Sequence, residues 1–68
     1  MIANDQELTT TLERIRRLQA QLAHLRIVET NPVNYRLSAS GFLTEVDRMQ
    51  LEVREYLSLH PNDLKASA

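Results

Sequence analysis

The run NPVNYRLSASGFLTEVDRMQLEVREYLSL, residues 31–59, decides the fold of this chain. It opens on Asn31-Pro32, an N-cap followed by a proline at the first helical position, where the N–H that proline lacks would have no partner anyway. Behind that start, Tyr35, Ala39, Phe42, Val46, Met49, Val53 and Tyr56 recur at alternating intervals of four and three. This is the rhythm of a helix that lays one face against a partner helix. His60-Pro61 should end it, because the residue before a proline avoids the helical region. The spacing therefore predicts a helix over residues 32–59.

Its middle is soft. Ser38, Ala39, Ser40 and Gly41 are all small, and a glycine inside a helix costs ~1 kcal/mol relative to alanine. Either the main helix begins here, capped by Ser38 or Ser40, or one continuous helix runs through and its small residues let another helix come close. Tyr35 keeps the phase of the later positions, which favours the continuous helix. On the close-approach reading, Gly41→Ala should be near neutral, and Gly41→Leu should destabilise through overpacking of ~1–3 kcal/mol.

Toward the N-terminus, Leu8, Thr11, Ile15, Leu18, Leu22 and Leu25 make a matching seam, and Leu12 widens it. A helix is expected over residues 5–28, capped by Asn4 or Asp5, with Glu7 in the first turn where a negative charge suits the dipole. Met1–Ala3 should be loose. Thr9, Thr10 and Thr11 are the weak spot, since β-branched residues resist helix. Glu13 and Arg17 have the spacing and order of a helical ion pair. No good C-cap precedes Asn31, so the link is the short stretch Glu29–Asn31, and short links join antiparallel neighbours. The expected fold is all-α: an antiparallel two-helix hairpin with Leu25 facing Tyr35, Leu8 facing Val53 and Tyr56, and Phe42 and Met49 at the centre of the core. Residues 61–68 should be a disordered tail.

Sixty-eight residues make one small domain, and a chain this short rarely stabilises itself by its own core. There is no cysteine, and the two histidines, His24 and His60, fall in different helices. Disulfides and a structural zinc site are therefore excluded. Oligomerisation remains, and 43% hydrophobic residues can supply an interface. Leu12, Leu37, Leu43, Leu51, Leu57 and Leu59 fall outside the strict seams, and apolar surface of that extent marks a partner surface. The expectation is a homodimer that closes a four-helix bundle. A net charge of −1 gives no drive toward nucleic acid or an anionic membrane. No apolar run approaches the ~20 residues of a membrane span. The polar, acidic N-terminus and the missing cysteines fit the cytosol.

No residue constellation carries chemistry, so neither an enzyme nor a cofactor is expected. Arg14, Arg16, Arg17 and Arg26 give the first helix a basic bias that could contact phosphates. Without lysine or aromatic companions they read first as a solvated surface. Glu45, Asp47, Glu52 and Glu55, interspersed with Arg48 and Arg54, read as a charged outer face, since paired catalytic carboxylates need a pocket. His24 and His60 read as surface histidines.

Asn4, Glu7, Thr10 and the Leu18–Leu25 stripe, followed by Glu45, Glu52 and the Glu55-Tyr56-Leu57 ending, carry one resemblance. Together they resemble the short helical hairpin that precedes the helix-turn-helix domain in certain bacterial antitoxins of toxin–antitoxin pairs. The resemblance covers Asn4 to Leu59, and the chain ends where the DNA-binding domain would begin. It implies a dimerising or toxin-contacting part without DNA recognition, with a second protein such as a toxin as partner.

Overall fold

The computed structural model describes residues 1–62, and two helices account for most of them: α1, Asp5–Val28, and α2, Pro32–Leu57. No strand occurs among the described residues.

Local chemistry fixes each helix end. Asn4 is extended, and its side-chain oxygen accepts the Glu7 N–H at 2.8 Å. The Glu7 carboxylate reaches back to accept the Ala3 N–H at 3.3 Å, a variant of the reciprocal capping box. The three threonines are nevertheless helical, and their hydroxyls donate to the carbonyls of Asp5, Gln6 and Glu7 one turn earlier, at 3.1, 3.1 and 2.8 Å. At the other end, Glu29 does the work that glycine usually does. Its N–H still donates to the Leu25 carbonyl, and its carboxylate accepts the Asn31 N–H at 3.0 Å. The Asn31 side chain then accepts from Val33 and Asn34, at 2.9 and 3.3 Å. The three-residue link is thus tied down by its own side chains.

α2 is continuous through Gly41 and stops at Leu57 rather than Leu59, with Ser58 as its C-cap. His60 must leave the helical region before Pro61, and that change of direction takes up the last turn. Pro61 and Asn62 are helical again, and the Asn62 N–H donates to His60 Nδ1 at 3.0 Å. The disorder expected of the tail is not met at these two residues; its remainder, 63–68, lies outside the described residues.

A Cβ placed on Gly41 would meet nothing within 4 Å. The facing helix does not come that close, so within one hairpin the close-approach expectation is not met: the glycine gives up helix propensity and gains no contact there. Gly41→Ala should stabilise the fold by ~1 kcal/mol. In a domain of this size a thermal melt should show a Tm rise of roughly 4–8 °C.

The helices pack as an antiparallel hairpin, and Tyr56 ties their far ends together by donating its hydroxyl hydrogen to Asp5 Oδ1 at 2.6 Å. Ile15, Val46 and Met49 are buried at the middle of the seam, with Leu18 and Val53 packed against them. Ala39 is buried nearer the turn. Leu8, Thr11, Leu22, Leu25, Tyr35, Phe42 and Tyr56 are half-buried. Phe42 is therefore not at the centre. It lines an open groove with Leu18, Ser38, Gly41 and Glu45, since two helices cannot surround a ring that large. Ile2 is a second correction: far from loose, it is 6% exposed and borders an apolar cleft with Glu52, Tyr56 and Leu59. The open end of a hairpin leaves apolar surface uncovered, and burying an isoleucine there gains ~1.5–3 kcal/mol.

Candidate interaction surface

Each helix has two flanks beside its seam, and they differ in chemistry. Positions that directly follow the seam residues at seven-residue intervals are Asp5, Leu12, Gln19 and Arg26 on α1, and Arg36, Leu43, Gln50 and Leu57 on α2. At 100° per residue both rows turn away from the seam in the same sense. Because α1 and α2 run antiparallel, the two rows come to lie on the same side of the hairpin. The opposite side carries Glu7, Arg14, Gln21 and Val28 from α1 and Ser38, Glu45 and Glu52 from α2, with the exposed Leu59 just past the end of α2.

The polar side is already furnished. Arg48 bonds Glu45 and also Glu52, the latter at 3.3 Å, and the Met1 ammonium stands 3.6 Å from Glu52. On the leucine side the polar contact is that of Asp5 with the Tyr56 hydroxyl, at the open end. Leu12, Leu43 and Leu57 are 47, 48 and 63% exposed. Within the two rows Gln19 and Gln50 lie between them and the charges, Asp5, Arg26 and Arg36, stand at the ends; Arg16, Asp47 and Arg54 stand one row further from the seam. Ile27, Leu37 and Leu51 are also exposed, but they point away from the seam on the outer backs of the helices.

Of the residues expected to form the core or interface, Leu8, Ile15, Leu18, Leu22, Leu25, Tyr35, Phe42, Val46, Met49, Val53 and Tyr56 are buried or half-buried, and Leu12 alone is exposed. Ile2 was not expected in the core: it stands two residues ahead of the Asn4 cap, and what it borders, Glu52, Tyr56 and Leu59, belongs to the other end of the chain. The arginines of α1 do not form a row. Steps of 100° spread Arg14, Arg16, Arg17 and Arg26 round the whole helix, all of them exposed. Glu13 and Arg17 do not pair. Both side chains are exposed, and an exposed pair gains too little to hold two long side chains together.

Among the described residues no group of three or more His, Cys, Asp or Glu could hold a metal ion, and no polar side chain is buried. The Tyr56 hydroxyl is held above the ordinary tyrosine range, because it donates to Asp5 and its ionisation would set a phenolate beside that carboxylate. A folded-state pKa above the unfolded one means that the bond contributes fully below the unfolded value, near 10, and is lost as pH rises through the folded value. Ultraviolet titration should find one tyrosine ionising late, and Asp5→Asn should return it toward the ordinary range.

No helix among the described residues is long and apolar enough to cross a membrane. No family model, curated protein or solved structure matches the chain.

Proposed function

We propose that this chain is a non-enzymatic protein–protein interaction module, and that it acts as a homodimer in which two hairpins close a four-helix bundle through their leucine flanks. The observation that carries this reading is the bare row of Leu12, Leu43 and Leu57 beside a seam whose buried centre is only Ile15, Val46 and Met49. Helices of four-helix bundles bury a stripe broader than the strict seam, with one flank row included. Here one flank carries three exposed leucines with its charges at the ends, and the other carries charges along its middle. A core of this size leaves a chain of 68 residues marginal without further burial. The resemblance to antitoxin hairpins supports the same class of function, with a toxin-like second protein as a further partner. The nucleic-acid reading gains nothing from arginines scattered round α1.

Sedimentation equilibrium at micromolar concentration tests the proposal. The expected mass is about twice the 7.9 kDa of one chain, with a melting temperature that rises with protein concentration. A folded monomer whose melt does not depend on concentration would overturn it.

A further inference from the structure

The leucine flank also carries information about how the second copy is oriented. We infer that the two hairpins dock with their ends reversed, so that the turn of one lies against the open end of its partner; this rests on the dimer reading above. The α1 row of that flank reads Asp5, Leu12, Gln19, Arg26, an acid at one end and a base at the other. Laid antiparallel against its own copy, Asp5 meets Arg26 of the partner, twice by symmetry, and Leu12 meets Gln19. If the turns lay at the same end instead, the α1 row would run beside the α2 row of the partner. Arg26 would then face Arg36 of the partner, also twice, and four arginines would gather at one end of the bundle.

The whole molecule is charged in the same sense. The turn half, residues 17–44, holds Arg17, Arg26 and Arg36 against Glu29, a net of +2. The open half, residues 1–16 with 45–62, holds Arg14, Arg16, Arg48 and Arg54 against Asp5, Glu7, Glu13, Glu45, Asp47, Glu52 and Glu55, a net of −3 in side chains. Within α1 the division is complete, since every acid precedes Arg14 and every base follows Glu13. Exposed charges add little affinity, but like charges set face to face are penalised, and this fixes register and orientation. In the same register Leu43 meets Gln50 of the partner and Leu57 meets Arg36 of the partner, so the charges rather than leucine pairing set the orientation.

The chain has no cysteine, so one introduced at the exposed Thr30 in the turn can carry a single nitroxide label. Its mass is checked by sedimentation. With 26 residues in α2 rising 1.5 Å each, reversed hairpins separate the two labels by roughly 40 Å. Aligned hairpins bring them within about 20 Å, two helix spacings. A dimer with the long distance in pulsed electron paramagnetic resonance is the expected result. A dimer with the short distance overturns the orientation and leaves the dimer standing. A monomeric mass with no distance between labels overturns the dimer reading itself. Arg26→Asp adds a second readout. In the reversed dimer it meets Asp5 of the partner and should weaken association several-fold at low salt, fading as salt is raised. If it tightens association, by relieving a clash with Arg36 of the partner, the reversed orientation is wrong.

Discussion

Met49→Ala is expected to cost ~2–5 kcal/mol, the range for emptying a buried methionine site. That is comparable with the entire stability a small domain draws from one core. Met49 is 3% exposed, and it packs in one cluster with Ile15 and Val46 from both helices. Neither helix can slide to fill the gap without breaking the Asp5–Tyr56 bond at one end or straining the three-residue link at the other. Urea or thermal unfolding should show a large loss of cooperative structure. Phe42→Ala should cost distinctly less, because Phe42 is only half-buried in an open groove. Arg16→Ala, fully on the surface, should move stability by less than ~0.5 kcal/mol. Equal effects at Met49 and Arg16 would mean that the assigned helix phase is wrong.

The second large effect is expected at the leucine flank. Leu43→Glu removes an apolar contact worth ~1.5–3 kcal/mol when buried, and a symmetric interface loses it twice. It also puts a carboxylate where the partner offers only apolar surface and glutamine. At 1.4 kcal/mol per tenfold, association should weaken at least ~100-fold. Sedimentation at micromolar concentration should then give one chain rather than two. Leu37→Glu is the matched control. It makes the same chemical change at an exposed leucine of the same helix, but on the outer back. The mass should stay that of a dimer. If Leu37→Glu dissociates the protein and Leu43→Glu does not, the interface lies on the back of α2 and the leucine flank is ordinary surface.

Much of the hairpin is legible in the residues themselves, because helix ends and helix faces are set by local chemistry. Asn4, Asn31 and Pro32 announce where helices start, and the three- and four-residue spacing announces which side is turned inward. What was not legible includes contacts between groups distant in sequence and the choice among local charge pairs. The hydrogen bond from Tyr56 to Asp5 joins residues 51 positions apart in the chain, brought together at the open end of the hairpin. The burial of Ile2 depends on the apolar cleft it shares with Tyr56 and Leu59. Arg48 holds Glu45 and Glu52, while the pair suggested by spacing, Glu13 and Arg17, stays open. Spacing measures proximity on a helix and says nothing of whether water already satisfies both charges.

Gly41 marks the boundary between the two kinds of knowledge. The phase shared by Tyr35 and the later seam is enough to expect a helix running through it. Whether a neighbour stood beside it could not be read from its small companions, since Ser38, Ala39 and Ser40 serve equally well at a close contact and on an open surface. The sequence by itself determined two amphipathic helices, where each begins, and a link too short for anything but an antiparallel return. Only the tertiary structure decided that Met49 rather than Phe42 occupies the centre, that Gly41 faces open space, and that Leu12, Leu43 and Leu57 remain uncovered. The physical reason is that periodicity assigns each residue a direction on its own helix, whereas burial depends on what the other helix has room to cover.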